Sequence, residues 1–126
     1  MYTHSSSDMG EIILYITKER QENLKLVDLS KSEAPVSIGQ AYKTAEKFLR
    51  SKFPEYKKFE LYWITYRNEN FSAGTYSAFD VSFYAWKDST DKDVSVLSAK
   101  ILMDGKPVDF MSESEWDKRA GANKTQ

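Results

Sequence analysis

Residues 37–54 read SIGQAYKTAEKFLRSKFP, and this stretch decides the fold. Ser37 suits a helix cap, and Gln40 three residues on completes a capping box, in which each side chain satisfies a backbone N–H of the other. Apolar residues then fall at Ile38, Ala41, Tyr42, Ala45, Phe48, Leu49 and Phe53, while Lys43, Glu46, Lys47 and Arg50 face away. Pro35 stands just before the pattern. Pro54 ends it, since proline has no amide hydrogen to donate and its ring clashes with the preceding turn. The spacing predicts one amphipathic helix over residues 37–52, whose apolar stripe must pack on another element.

Beyond Pro54 the apolar period falls to two, the spacing of strands. Residues 59–66 (FELYWITY) are the first expected strand, and residues 76–87 the second. In the second, Phe79, Val81, Phe83 and Ala85 take one side, and Tyr84 and Trp86 the other. Residues 93–103 are the third, with Leu97, Ala99, Ile101 and Met103 on one face. The fold class expected is α+β: a helix on an antiparallel β-meander.

Asp104-Gly105 is the strongest turn signal, because glycine tolerates the positive φ of a two-residue type I′ loop. That loop would pair Met103 with Lys106, Ile101 with Val108 and Ala99 with Phe110. Val108 and Phe110 would then share a face with Leu97 and Ile101, in a fourth strand over residues 106–111. Pro107 cannot donate to a ladder, so this strand is expected at an edge. A helical turn capped by Ser112, with Glu115 at its third position, is expected to follow.

Toward the N-terminus, residues 11–17 hold Ile12, Ile13, Leu14, Tyr15 and Ile16, a short continuous run of strand formers. Residues 23–29 hold Leu24, Leu26 and Val27, and the charged stretch 18–22 lies between. A hairpin of these two pieces is the first reading. One helix across residues 11–29 is the other, because the intervening residues are good helix formers. Residues 1–9, with three serines in a row, and residues 118–126 are expected to be flexible ends of a single domain spanning 1–126.

Composition bounds the chemistry. The chain of 126 residues carries a formal net charge of −1, and a sequence-independent phosphate-backbone binder is usually basic. The absence of cysteine excludes disulfides, thiol catalysis and thiolate metal sites. The start is polar without a cationic segment, and residues 12–16 are too few for a signal core or a membrane span. A cytoplasmic protein with no membrane association is therefore expected.

The pattern resembles the PepSY and cystatin-like small α+β domains over residues 36–110. Ser37, Ala41, Ala45 and Leu49 are similar to the PepSY helix, with small residues at four-residue steps. Residues 76–81 and 96–108, ending in Asp104-Gly105-Lys106-Pro107-Val108, are similar to its strands and terminal turn. The N-terminal segment and the aromatic-rich strand 59–66 depart from it. The resemblance implies a non-catalytic domain that contacts or inhibits another protein. Small bacterial immunity proteins, NTF2-like ones among them, also use helix-on-sheet folds.

Catalytic and metal candidates are few. His4 is the sole histidine and has no ligand or base at a useful spacing. Asp88, Asp91 and Asp93 cluster in one loop but lack the glycine and distal glutamate of an EF-hand, and Lys87 and Lys92 interleave with them. Asp80 and Glu60 would act as an acid and base pair only if the strands brought them together. No catalytic residue, metal ligand or cofactor is expected.

The aromatic fraction of 14% is high, and it is concentrated where one helix cannot cover it. With Phe79, Val81 and Phe83 against the helix, Tyr84 and Trp86 fall on the far face. Residues 59–66 are apolar on both sides, Phe59, Leu61 and Trp63 against Tyr62, Ile64 and Tyr66. Tyr62, Tyr66, Tyr84 and Trp86 are the expected partner-binding residues, grouped with Ile64 and Tyr76. The alternative is that the N-terminal segment covers this face. The expected function is a non-enzymatic protein-binding module, an inhibitor or immunity-type protein acting on a toxin or enzyme. Other readings are a small-molecule or enzymatic NTF2-like pocket lined by Tyr42 and Phe79, a single-stranded nucleic-acid binder using Lys57, Lys58, Arg67 and Lys87, and a homodimer through the same face or the edge near Pro107.

Overall fold

In a computed structural model the protein is described at residues 2–7, 10–22, 24, 26–28, 30, 33–71, 74–88, 90, 92–112, 115 and 118. Its elements are β1 (Tyr2–Ser7), β2 (Gly10–Tyr15), α1 (Lys18–Gln21), α2 (Ile38–Lys52), β3 (Lys58–Phe71), β4 (Gly74–Trp86), β5 (Ser95–Leu102) and β6 (Asp109–Ser112). They form an α+β fold with two antiparallel three-stranded sheets, ordered β3-β4-β5 and β1-β2-β6.

The α2 helix forms as its residues dictate. Ser37 Oγ accepts from the Gln40 amide at 3.1 Å, and Gln40 Oε1 accepts from the Ser37 amide at 2.9 Å, closing the capping box. Ala41, Ala45 and Leu49 are fully buried. The two alanines let the helix axis approach the sheet, where Phe79, Val81, Phe83, Ala85, Leu97, Ala99 and Ile101 complete the main core. Tyr42 meets Phe83 with ring centroids 5.6 Å apart, so aromatic rings fill the space beneath the helix.

The turn after β5 differs from the two-residue loop expected. Ile101 bridges Pro107, and the Leu102 amide donates to Lys106 O at 3.1 Å, leaving a three-residue loop of Met103, Asp104 and Gly105. The Gly105 amide donates to Leu102 O at 3.0 Å, and Gly105 itself sits at φ +81°. This is the three-residue alternative, a turn closed by a left-handed glycine. The register is therefore one residue off the expected pairing, and a one-residue slip exchanges faces. Val108 and Phe110 therefore join Leu102 in a second cluster, not Leu97 and Ile101 in the main core.

That exchange sends the last strand elsewhere. β6 leaves the meander and pairs with β2, with Leu14 opposite Phe110, so it is an edge strand but of the second sheet. Leu14, Ile16 and Leu24 pack with Val108 and Phe110 against Tyr76, Ala78 and Leu102 on the outer face of the main sheet. Phe48 and Phe53 reach this cluster from α2, with Phe53 and Phe110 stacked at 5.8 Å.

The N-terminal hairpin uses other residues than expected. β2 pairs with β1, so residues 2–7 form a strand, and the described residues 24 and 26–28 do not. The charged stretch supplies a single helical turn, α1, and no helix runs across 11–29. Of the expected flexible end 118–126, all but Lys118 lie outside the described residues, as does most of the turn expected after Ser112.

Candidate functional site: an aromatic surface on the outer sheet face

The outer face of the main sheet has three zones, which follow from the alternation of β4. Tyr76 and Ala78 lie under the second sheet. Asp80 and Ser82 form a polar middle, and Tyr84 and Trp86 end the strand. Directly opposed residues of an antiparallel pair share a face, so the β3 side of these zones is read from the ladder.

In the middle zone Lys100 Nζ lies 2.8 Å from Glu69 Oε1 and 3.2 Å from Asp80 Oδ2, and Arg67 Nη2 lies 2.9 Å from Asp80 Oδ2. Burial alone would raise the Glu69 carboxyl, but the Lys100 hydrogen bond and charge, with those of Arg67, outweigh it and hold Glu69 below its usual range. The Arg67 guanidinium is pushed up, first by its hydrogen bond to Glu69. Ser82 and Ser98 hydroxyls meet at 2.7 Å across β4 and β5. Two acids and two bases thus neutralise each other in one network, in which the Arg67 side chain remains half exposed.

The aromatic zone begins where this network stops. β3 carries a bulge between Leu61 and Trp63: Leu61 opposes Phe83, Trp63 opposes Ser82, and Tyr62 is the extra residue. Before the bulge Phe59 faces the helix side, and after it Ile64 and Tyr66 do, because the phase of alternation changes. Tyr62 stacks on Tyr84 with ring centroids 4.5 Å apart and 11° between planes. Trp63 lies 5.9 Å from Tyr62, Trp86 lies 6.4 Å from Tyr84, and Lys58 Nζ sits 4.7 Å above the Trp86 ring. Tyr62 and Trp63 remain 52% and 51% exposed, and no described element packs over them. Desolvation, then Tyr62 and Glu60, raise the Tyr84 phenol above its ordinary value.

Three of the four expected site residues, Tyr62, Tyr84 and Trp86, are brought together. Tyr66 is not with them. It lies on the helix side with its ring 5.2 Å from Phe79. Ile64 is on that side too, and Tyr76 is buried under the second sheet at the far end. The sequence reading missed Trp63, which strict alternation places with Phe59 and Leu61. The signal was present: a strand apolar on both faces is what a phase change produces when its two halves are read in one register.

The other candidates separate in space. Asp80 pairs with Arg67 and Lys100, whereas Glu60 stands opposite Tyr84, four positions along β4, so the two carboxylates do not converge. Asp88 accepts from the amide and hydroxyl of Thr90, which hold its carboxyl below the usual range, and Asp91 lies outside the described residues. Among the described residues no group of three histidine, cysteine or acidic side chains is placed to hold a metal ion. His4 is opposite Ile13 in the hairpin. Of the four bases proposed to flank the rings, Lys58 alone contacts the aromatic zone. Lys57 donates to Pro54 O, Lys87 lies over Tyr56, and Arg67 is held in its ion pairs.

In comparisons with known proteins, no family model, curated protein or solved structure matches this chain. No helix among the described residues is long and apolar enough to cross a membrane.

Proposed function

We propose that the protein is a non-enzymatic protein-binding module whose contact surface is the aromatic zone of Tyr62, Trp63, Tyr84 and Trp86. The observation that carries this reading is the contrast within one sheet face. Its Tyr76 end is covered by the second sheet, while its Tyr84 end presents stacked rings to solvent. Stacking fixes the Tyr62 and Tyr84 rotamers before any partner arrives, which lowers the entropy lost on binding. Tyrosine and tryptophan clusters of this kind are the usual anchors of protein interfaces. The core side chains packed beneath α2 favour a surface over an enclosed pocket, and among the bases expected to flank the rings Lys58 alone contacts them, which offers a nucleic-acid backbone little charge.

The finer reading is an inhibitor or immunity-type protein that blocks a toxin or enzyme. Affinity capture from the native source, followed by reconstitution with the captured protein, tests it. A stoichiometric complex that inhibits the partner's activity, and is lost in Tyr84→Ala/Trp86→Ala with the circular dichroism unchanged, is expected. A complex that survives this double substitution overturns the assignment of the surface.

A further inference from the structure

The outer edge of β3 goes beyond that reading. β3 is an edge strand 14 residues long, and no described strand pairs with its outer side. Natural proteins normally shorten, cover or charge such edges, because unpaired N–H and C=O groups recruit another strand. Here Leu61, Tyr62 and Trp63, three of the most exposed large apolar side chains, lie consecutively in it. We propose that this edge pairs antiparallel with the same edge of a second copy of the chain, joining two sheets into one continuous six-stranded sheet about a twofold axis at Ile64.

The register follows from faces and charges. Because Tyr62 is the extra residue of the bulge, Lys58 and Glu60 before it lie on the same outer face as Trp63, Thr65, Arg67 and Glu69 after it. With Tyr62 left out of the ladder and Ile64 opposite itself, Lys58 meets Glu69 of the second copy, and Glu60 meets its Arg67. Trp63 meets Thr65. On the helix side Leu61 meets Tyr66. Each pair occurs twice by symmetry. Neighbouring registers that keep the faces matched differ by two residues. One sets Lys58 against Arg67, and the other sets Glu60 against Glu69, so both place like charges opposite each other. The charge order of this strand selects one self-pairing.

A second feature fits the same arrangement. On the helix side of β3 an open groove of about 390 Å³ is lined by Leu26, Val27, Asp28, Tyr66 and Asn68. In this register Leu61 of the second copy stands opposite Tyr66, at that groove. Leu61 is 41% exposed in the single chain and gains a site to enter. The paired sheet leaves Tyr84 and Trp86 open on the outer face, so the dimer and the partner surface are separate claims.

The test uses the full chain in sedimentation equilibrium and in cross-linking. Wild type is expected as a dimer. Lys58→Glu/Glu60→Lys preserves net charge but reverses both cross-copy pairs, and is expected to weaken the dimer by about tenfold or more. The chain has no cysteine, so a single introduced one is diagnostic. Ile64→Cys is expected to give a disulfide-linked dimer under mild oxidation, since residues facing across the axis have the Cα separation a disulfide needs. Lys58→Cys, whose two copies lie at opposite ends of the ladder, is expected to give none. A monomeric wild type overturns the proposal, as does a dimer indifferent to the charge reversal or one that fails to link at position 64. Tyr84→Ala/Trp86→Ala should leave the dimer intact, which separates failure of this inference from failure of the partner surface.

Discussion

The Arg20 guanidinium grips the Asp104 carboxylate through two hydrogen bonds, Nε to Oδ2 at 2.6 Å and Nη2 to Oδ1 at 2.8 Å. It also donates to Pro107 O at 2.7 Å and Lys106 O at 2.6 Å. The single turn of α1 is thereby fastened to the loop between β5 and β6, the point where the chain passes from one sheet to the other. Both side chains are about four-fifths buried, so the pair is poorly screened. Arg20→Met is expected to cost about 2 kcal/mol in urea unfolding. A loss confined to about 0.5 kcal/mol, the range of exposed pairs, would show that the clasp is only a surface contact.

The same pair makes stability acid-sensitive. Burial alone would raise the Asp104 carboxyl, but the Arg20 hydrogen bond, the Lys106 amide and the Arg20 charge outweigh it and lower the group from its ordinary 3.8. Asp109 is lowered in the same way against burial by Lys52, the Phe110 amide and Tyr15. A carboxyl depressed in the folded state stabilises above its unfolded value and stops doing so as pH falls through its folded value. The urea midpoint is expected to fall as pH drops from about 4 to 2, less steeply in Asp104→Asn. Equal slopes in the two proteins would remove Asp104 from the linkage.

Gly105 tests the turn. At φ +81°, with nothing within 4 Å of an added Cβ, it needs glycine for backbone reasons alone. Gly105→Ala is expected to destabilise by about 1 kcal/mol, the cost of placing an L-residue in the left-handed region. Gly105→Asn should cost less, because asparagine tolerates that region. Equal stability of all three proteins would mean that the loop relaxes to another form.

Two β4 residues on opposite faces, Phe83 and Trp86, should behave oppositely. Phe83 is fully buried among α2 and the main core, and Phe83→Ala is expected to cost about 3–5 kcal/mol. Trp86 is half-buried on the outer face and meets Lys58 and Tyr84, so Trp86→Ala is expected to cost about 1 kcal/mol. Thermal melts of the two variants check this. A Trp86 variant as unstable as the Phe83 one would make the aromatic zone part of the core.

Lys100 holds the middle zone together. Removing it leaves Glu69 and Asp80 with Arg67 alone, and the arginine side chain is 52% exposed. Lys100→Met is expected to cost about 2 kcal/mol at neutral pH, from a partly buried carboxylate losing its partner. The cost should shrink in acid as Glu69, whose carboxyl Lys100 helps to hold below its usual range, protonates. A loss independent of pH would point to packing of the lysine stem instead.

The α2 helix was readable in full, because its cap, stripe and terminating proline are local signals that agree with one another. The three meander strands were readable for the same reason, though β3 runs five residues past its expected end, whereas β1 lies in residues expected to be a flexible end. The grouping of Tyr62, Tyr84 and Trp86 in one aromatic zone was readable, three of the four residues expected together. Tyr66 went to the wrong face because a bulge is a property of the β3–β4 pair, and nothing in the β3 residues alone marks which one drops out of the ladder.

The amino-acid sequence by itself determined the α+β class, the helix, and the two-sided apolar character of the meander, since each depends on spacing within one element. Tertiary structure decided what covers the second face. A one-residue difference in the loop at Gly105 takes Val108 and Phe110 out of the core of Leu97 and Ile101, and the two pack instead with β2 and its neighbours on Tyr76, Ala78 and Leu102. Loop closures of two and three residues are close in energy locally, and only the burial of distant side chains on one face or the other separates them.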